Sequence, residues 1–216
     1  MTSDTLAVTT AHGAEGHARE GGLSNVILGM LLFITSEVMF FAGLFAAYFN
    51  VRATAPVWPP EEFADKLHWL PTTAQPIPVV TVATILLILS SLTCQLGVWG
   101  IRRGDHLALV RNIGVTVLLG TTFLLMQAFD YTILYGEGVR LDAGTFGTTY
   151  YTLTGFHGAH VLGGVIMLSV VLYRAMAGQF SREHHDMVEA TSIYWHFVDV
   201  VWIALFSTLY IIPNPA

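Results

Sequence analysis

Near its C-terminal end the chain reads Tyr194-Trp195-His196-Phe197-Val198-Asp199-Val200-Val201-Trp202. This stretch lies within Met187 to Ile212, an otherwise apolar run that is long enough to cross a bilayer. An Asp near the middle of a membrane helix costs roughly 2.5–3.5 kcal/mol on insertion scales, so it needs a partner or a water-lined cavity. On a helix, His196 and Asp199 are three residues apart and share one face. That face is therefore predicted to meet another helix or another subunit rather than lipid.

The composition of the whole chain is that of a membrane protein. Of its 216 residues, 54% are hydrophobic and only 11% are charged, and the mean hydropathy is +0.61. A soluble domain carries about a quarter charged residues, so little chain remains for one here. No basic cluster points to nucleic acid. The single cysteine, Cys94, leaves no intramolecular disulfide and no cysteine metal site.

Five segments are apolar and long enough to span a membrane, which predicts an all-α bundle of five transmembrane helices. Proline and glycine clusters punctuate the loops between them. Residues 1–23 are predicted to form a polar cytoplasmic tail before a membrane domain of 24–213. The predicted spans are 24–49, 78–101, 107–135, 149–173 and 187–212.

Basic residues in the short loops predict the orientation, because cytoplasmic loops carry the excess of Lys and Arg. Six fall on the side of the N-terminal tail and three on the other, which places the N-terminus in the cytoplasm and the C-terminus outside. The tail has neither a secretory signal nor the Arg-rich composition of a transit peptide, which favours a bacterial plasma membrane. The six are Arg19, Arg102, Arg103, Arg111, Arg174 and Arg182, and the three are Arg52, Lys66 and Arg140.

Two more acidic residues fall inside predicted spans. Glu37 lies about halfway along the first span, where an ionised carboxylate is costly. It is either a structural carboxyl hydrogen-bonded to a neighbouring helix or a proton-handling group. Asp130, three residues after Gln127, lies near the outer end of the third span, within reach of water and headgroups. Hydrogen bonding between helices is the favoured interpretation of Asp130.

The fourth span carries His157 and His160 beside a stripe of small residues, Gly155–Ala159–Gly163, which lets two membrane helices approach closely. At about 1.5 Å rise per residue, His160 and His196 fall at similar depths in the bilayer. Two interpretations follow. The histidines could ligate a haem b, or they could be hydrogen-bonded to the buried acids and to backbone groups across a tight helix interface.

Imidazoles and carboxylates also cluster before the last span, at the predicted cytoplasmic face. The sequence there is Glu183-His184-His185-Asp186, with Glu189 soon after. Such groups exchange protons near neutral pH, although an ordinary solvated loop has the same composition.

Together these stretches resemble subunit III of the haem–copper terminal oxidases. The resemblance is collinear over nearly the whole chain beyond the tail, from about Ser24 to Ile212. Its carriers are Ser36-Glu37-Val38-Met39-Phe40-Phe41, Trp58-Pro59-Pro60, Gly104-Asp105, Thr154-Gly155-Phe156-His157-Gly158-Ala159-His160-Val161, His184-His185 and the stretch from Tyr194 to Trp202.

The resemblance implies a non-catalytic subunit that itself holds neither haem nor copper. In the family those groups reside in the partner subunits I and II, where electrons from cytochrome c or quinol reduce oxygen to water and protons are pumped. Subunit III packs mainly on subunit I, binds phospholipid within its helix bundle, and supports proton uptake and turnover durability. Membership of a respiratory supercomplex stays open.

Individual residues inherit expectations from the family. Glu37 matches the buried, carbodiimide-reactive glutamate, and His184 and His185 match a His pair near the inner mouth of a proton-uptake path. Asp130 stands where many members have Glu. The other candidates are buried polar or packing residues, namely His157, His160, His196 and Asp199, and lipid contacts, namely Trp58, Trp195 and Trp202. Trp195 and Trp202 are alternatively bulky packing residues.

The chain departs from the long family members in length. Those have seven spans, and two additional N-terminal helices form one wall of a lipid-holding cleft. That wall would have to come from another subunit here. Glu37 together with Phe156 before His157 is more typical of the cytochrome c branch than of the quinol oxidases. A quinol oxidase subunit, a subunit-III-like protein of nitric oxide reduction and a free-standing bis-His haem b electron carrier are the alternatives.

Overall fold

The computed structural model of the protein describes residues 24–64 and 78–212. Within them it is all-helical, and five helices are long and apolar enough to cross a membrane, which confirms the predicted fold class. The predicted tail, 1–23, lies outside the described residues. The elements are α1 (Asn25–Thr54), α2 (Glu61–Ala64), α3 (Val79–Arg102), α4 (His106–Gly136), α5 (Gly144–Met176), α6 (Asp186–Phe206) and a π-helical turn (Ser207–Ile211).

Two helices extend well beyond the spans predicted from hydropathy. Helix α1 continues to Thr54 rather than ending near residue 49, and α5 begins at Gly144 rather than near residue 149. The added turn of α1 includes the polar residues Asn50 and Arg52. Hydropathy reports which residues prefer lipid, whereas backbone hydrogen bonds continue into the interface, so the two boundaries differ.

Tight turns at both ends of the bundle reverse the chain. The α3–α4 turn passes through Gly104, whose φ of +82° suits glycine, and the Asp105 carboxylate then accepts a hydrogen bond from the Ala108 N–H (2.9 Å) to begin α4. The α4–α5 turn passes through Gly138, with φ of +89°. We call the two ends of the bundle the Gly104 end, predicted to face the cytoplasm, and the Gly138 end, predicted to face outside.

Helix α6 is the centre of the bundle. It packs against α3, α5 and α1, while α4 packs between α3 and α5. Trp195 of α6 is fully buried and lies between two glycines, Gly120 of α4 and Gly164 of α5. Its indole N–H donates to the Ser90 hydroxyl (2.9 Å), which holds the ring in place. Small residues thus make room for the largest side chain of the core.

Of the two interpretations of Trp195 and Trp202, the structure supports packing residues and contradicts lipid contacts. Trp195 is 0% exposed and Trp202 is 3% exposed, and the indole N–H of Trp202 donates to the Thr84 hydroxyl of α3 (2.9 Å). Both rings lie on the face of α6 that packs against α3, α4 and α5, whereas Val200 on another face of α6 is 65% exposed. Trp58 is half-buried, and its indole N–H donates to the Tyr48 hydroxyl (3.0 Å).

The closest helix contacts of α5 are not on the predicted stripe Gly155–Ala159–Gly163. They are at Gly158, where a Cβ would lie 2.9 Å from Oε1 of Gln127, and at Gly164, where it would lie 2.7 Å from the Trp195 ring. Ala159 is exposed. The predicted stripe is therefore not the face of α5 that packs most closely inside this chain, and the face that does is rotated from it.

Helix α1 lies at the edge of the bundle. It packs on α6 and α5, and only Phe41 and Tyr48 among its residues are buried. The Tyr48 hydroxyl donates to the Thr208 carbonyl (3.1 Å), which belongs to the π-helical turn. The rest of α1 presents an apolar surface to whatever surrounds the chain, such as lipid or another subunit.

Candidate functional site

The structure brings Glu37 of α1 and His160 of α5 together across the helix interface. Oε2 of Glu37 lies 2.8 Å from Nε2 of His160, and both side chains are mostly buried. The other ring nitrogen, Nδ1, lies 2.7 Å from the Phe156 carbonyl oxygen one turn earlier on α5. The Tyr194 hydroxyl of α6 donates to the carbonyl of His160 (3.1 Å), so three helices meet here.

Hydrogen-bond chemistry fixes how many protons the pair holds. The Phe156 carbonyl can only accept, so Nδ1 of His160 carries a proton and donates it. The contact between Nε2 and Glu37 then needs one further proton, which sits either on the carboxyl or on the imidazole. In both cases the pair is neutral overall. This arrangement satisfies a carboxyl group at membrane depth without leaving a net charge there.

Aromatic rings enclose the His160 imidazole. The ring centroids of Phe40 and Phe41 lie 6.0 Å and 4.9 Å from that of His160, and Phe156 packs edge-on against Phe40 at 5.1 Å. These rings come from the residues that follow Glu37 and precede His157 in the sequence. They cover much of the imidazole, whose side chain is 16% exposed.

His196 binds α6 to α3 through both of its ring nitrogens. Nδ1 lies 2.6 Å from the Ser91 hydroxyl, and Nε2 lies 3.1 Å from Oε1 of Gln95 and 3.2 Å from the Ser192 hydroxyl. Oε1 of Gln95 only accepts, so Nε2 carries the proton and Nδ1 accepts from Ser91 when the ring is neutral. The polar face of α6 therefore meets α3.

Asp199 and His157 are buried without such bonds. Asp199 is 5% exposed, and neither of its carboxylate oxygens has a hydrogen-bond partner among the described residues, although Ser91 lies close by. The same is true of both ring nitrogens of His157, which is 0% exposed. The His157 ring instead stacks on Trp202, with centroids 4.9 Å apart, and meets the ring of Phe123 edge-on.

At the Gly104 end an ionic cluster joins α3 to the start of α6. Oε1 of Glu189 accepts from Nε of Arg102 (2.8 Å) and lies 3.0 Å from Nε2 of His185. Nδ1 of His185 lies 3.1 Å from the Ser181 carbonyl oxygen. Both neighbours of the His185 ring accept hydrogen bonds, so the geometry accommodates an imidazolium with two N–H donors.

The two adjacent histidines therefore differ in their surroundings. His185 is half-buried and tied to Glu189, while His184 is exposed. Of the pair, His184 has the side chain that reaches solvent.

Asp130 and its neighbours join α4 to α5 near the Gly138 end. The Tyr131 hydroxyl lies 2.7 Å from the Thr154 hydroxyl, which itself donates to the Tyr150 carbonyl (2.7 Å). Gln127 donates to the Thr154 carbonyl (3.1 Å). The Asp130 carboxylate lies on the same face, beside Tyr150.

The arrangement of the histidines does not fit a bis-His haem. Nε2 of His160 and both nitrogens of His196 are engaged in hydrogen bonds within the bundle. His157 has its nitrogens unpaired among the described residues, but its ring is stacked within the core. A haem needs two imidazoles that face one space, and the described residues do not supply them.

Sequence reasoning missed several partners of these groups. Ser91 and Gln95 bind His196, and Thr84 and Ser90 bind the two tryptophans of α6. A signal was present, because these polar residues interrupt the apolar sequence of α3 at helical spacing. Arg102 entered only the count of basic loop residues that predicts the orientation in the membrane. Its hydrogen bond to Glu189 was not predicted.

The fold and the site define this chain as a multi-pass membrane helix bundle. It carries paired ionisable groups at its helix interfaces. The family model of cytochrome c oxidase subunit III matches residues 2–213. The probable cytochrome c oxidase subunit 3 of Mycobacterium tuberculosis is 42% identical over 188 residues, covering 87% of this chain and 88% of the relative. Its counterpart in Nocardia farcinica is 39% identical over 212 residues, covering 95% and 100%.

A more distant relative is the cytochrome c oxidase subunit 3 of a Synechocystis species. It is 37% identical over 213 residues, which cover 98% of this chain and 85% of the relative. The chain therefore belongs to the cytochrome c oxidase subunit III family, among the haem–copper oxidases.

Proposed function

We propose that this chain is the non-catalytic subunit III of a proton-pumping oxidase that takes electrons from cytochrome c. The observation that carries the proposal is the full-length match to the family, together with the names of its relatives. Haem and copper belong to the partner subunits I and II. The chain packs against its partner subunits, binds phospholipid and carries proton-exchanging groups in the plasma membrane.

The exposed faces of the bundle support a role within a larger assembly. Helix α3 carries a row of exposed apolar side chains, including Leu89, Leu92 and Leu96, on the side away from α6. Helix α1 is exposed over most of its length. We assign one of these faces to subunit I and the other to phospholipid, because both kinds of neighbour cover apolar surface.

Proton exchange is assigned to two places in the chain. The Glu37–His160 pair holds one proton that can sit on either partner, and the exposed His184 lies beside the Arg102–Glu189–His185 cluster at the predicted cytoplasmic face. Imidazole is the side chain suited to collecting protons near neutral pH. His184 would gather protons at the surface of the complex, and His185 would hold the loop in position.

The test of the proposal is purification of the membrane complex through an affinity tag on this chain. We expect subunits I and II to co-purify, with haem and copper, and the complex to oxidise reduced cytochrome c. Oxidation of quinol instead of cytochrome c would identify a quinol oxidase. A Soret band from this chain after separation from its partners would overturn the assignment of the haem to other subunits.

His184 and His185 lie in the loop between α5 and α6, and their substitution is expected to have different effects. His184→Gln should slow oxygen consumption more at alkaline than at acid pH, because protons are scarce at alkaline pH and collection then limits turnover. Assembly should be unchanged, since the side chain is exposed. Oxygen consumption of reconstituted complex across pH measures this.

The matched control is Arg182→Gln, which changes another exposed cationic residue of the same loop. It should leave the pH profile unchanged. An equal loss of turnover at all pH values in His184→Gln would contradict the proton-collecting role. His185→Gln should instead lower thermal stability, because it removes the donors to Ser181 and Glu189.

A further inference from the structure

A small, partly open cavity lies below the Gly138 end of the bundle, between α3, α4, α5 and the π-helical turn. The space open to the centre of a water molecule is about 10 Å³, which is room for one water. Apolar residues of α3 and α6, such as Ala83 and Trp202, form part of its wall. The polar part of the wall consists of Gln127, Asp130, Tyr131, Tyr150, Thr154 and Tyr210.

Three of these six polar residues belong to one hydrogen-bond network between α4 and α5. Tyr131 bonds the Thr154 hydroxyl, Thr154 donates to the Tyr150 carbonyl, and Gln127 donates to the Thr154 carbonyl. They form a closed network between α4 and α5. The groups that remain to interact with the cavity are Asp130 and the hydroxyls of Tyr150 and Tyr210.

The two tyrosines and the aspartate lie together at the cavity wall. The Tyr150 and Tyr210 hydroxyl oxygens lie 2.5 Å apart, so one donates to the other. When Asp130 is ionised it can only accept, so any hydroxyl or water that hydrogen-bonds to it is the donor. Both tyrosines are almost completely buried, at 1% and 3% exposed.

The Asp130 carboxylate has acceptor capacity to spare. An ionised carboxylate offers about four lone-pair positions. A charged group at this depth is costly unless further donors reach it. The cavity beside it has the volume and the polar wall that a bound water requires.

The π-helical turn is what brings Tyr210 to this place. Ser207–Ile211 departs from α-helical hydrogen bonding at the end of α6, and such turns are rare and frequently found at functional sites. The turn is fixed from the other side by the Tyr48 hydroxyl, which donates to the Thr208 carbonyl. The position of the Tyr210 hydroxyl is therefore set by α1 as well as by α6.

We propose that this cavity binds a single water molecule, which donates a hydrogen bond to the Asp130 carboxylate. The water, Asp130 and the Tyr150–Tyr210 pair then form a proton-exchange site at the Gly138 end, opposite to the histidine cluster. Glu137, near the end of α4, interacts electrostatically with Asp130 and lies between it and the end of the bundle. The site is independent of the assignments made for Glu37 and His184.

The direct test is a density map of the purified oxidase complex at a resolution that shows ordered water. We expect one isolated peak in the cavity, within hydrogen-bond distance of Asp130. An empty cavity in such a map would overturn the proposal. This measurement needs no variant, so it does not depend on how mutants assemble.

Infrared spectroscopy of the complex tests the exchange of protons. Asp130→Asn identifies the bands of this group by their loss. In the wild type, acidification should replace the carboxylate band by the C=O band of the protonated acid, and that band should shift when H₂O is replaced by D₂O. Ala83→Val fills the cavity without changing a polar group, so the D₂O shift should be lost. Ala128→Val, an exposed position on α4, is the matched control and should keep it. An unchanged D₂O shift in Ala83→Val would refute the role of the water.

Discussion

A single methyl group added at Gly164 is expected to destabilise the whole bundle. An alanine Cβ there would lie 2.7 and 2.8 Å from two ring carbons of Trp195, which is far inside van der Waals contact. The ring cannot retreat, because Gly120 lies on its other side and Ser90 holds its N–H. Overpacking of this kind costs about 1–3 kcal/mol. The thermal unfolding midpoint and yield of the purified complex measure the effect.

Gly120→Ala should have the same effect, since its Cβ would lie 2.6 Å from the Trp195 ring. Trp195→Phe removes the outer part of the indole and should restore part of the loss in a double variant with Gly120→Ala. Gly43→Ala is the control, because no atom lies within 4 Å of a Cβ at Gly43. Equal stability of the Gly164 and Gly43 variants would show that Trp195 is not clamped by the two glycines.

The second large effect is expected at Glu37. Glu37→Ala leaves Nε2 of His160 without its partner in an aromatic enclosure, which costs about 1–3 kcal/mol. Glu37→Gln should assemble normally, because its amide N–H can donate to Nε2 while Nδ1 still donates to Phe156. An amide cannot give up that proton, so the Gln variant should lose activity faster during turnover. Assembly and the decay of oxygen consumption are measured separately.

These two readouts separate the two interpretations of Glu37. A complex that assembles with Gln at position 37 but inactivates early indicates a proton-handling role. A complex that fails to assemble indicates that the carboxyl is structural. Glu61→Gln, an exposed carboxyl on α2, should change neither.

The sequence predicted the five helices well because spanning a membrane imposes length and hydropathy together. The cost of a charged side chain inside a membrane also marked Glu37, Asp130 and Asp199 as residues that need a partner. The sequence suggested Glu37 and Asp199 as possible hydrogen-bond partners of the histidines, but not which pair forms. Glu37 and His160, which do pair, are 123 residues apart.

Trp195 shows why the burial of large side chains was harder to predict. A tryptophan in an apolar span suits lipid and core equally well, and periodicity shows which residues share a face but not what that face meets. The deciding features are Gly120 and Gly164, which lie on two other helices and make space for the ring. The stripe of α5 was misplaced for the same reason.

The edge position of α1 has a consequence for the order in which the chain is built. Its polar anchors are His160 of α5 and the Thr208 carbonyl of the π-helical turn, which is 160 residues beyond Tyr48. A ribosome makes α1 before the other four spans and those anchors late. Helix α1 therefore stays in the bilayer without these two polar contacts until α5 and the π-helical turn have been made. Of the five described spans, α1 is made first, and one of its polar anchors is among the last described residues to be made.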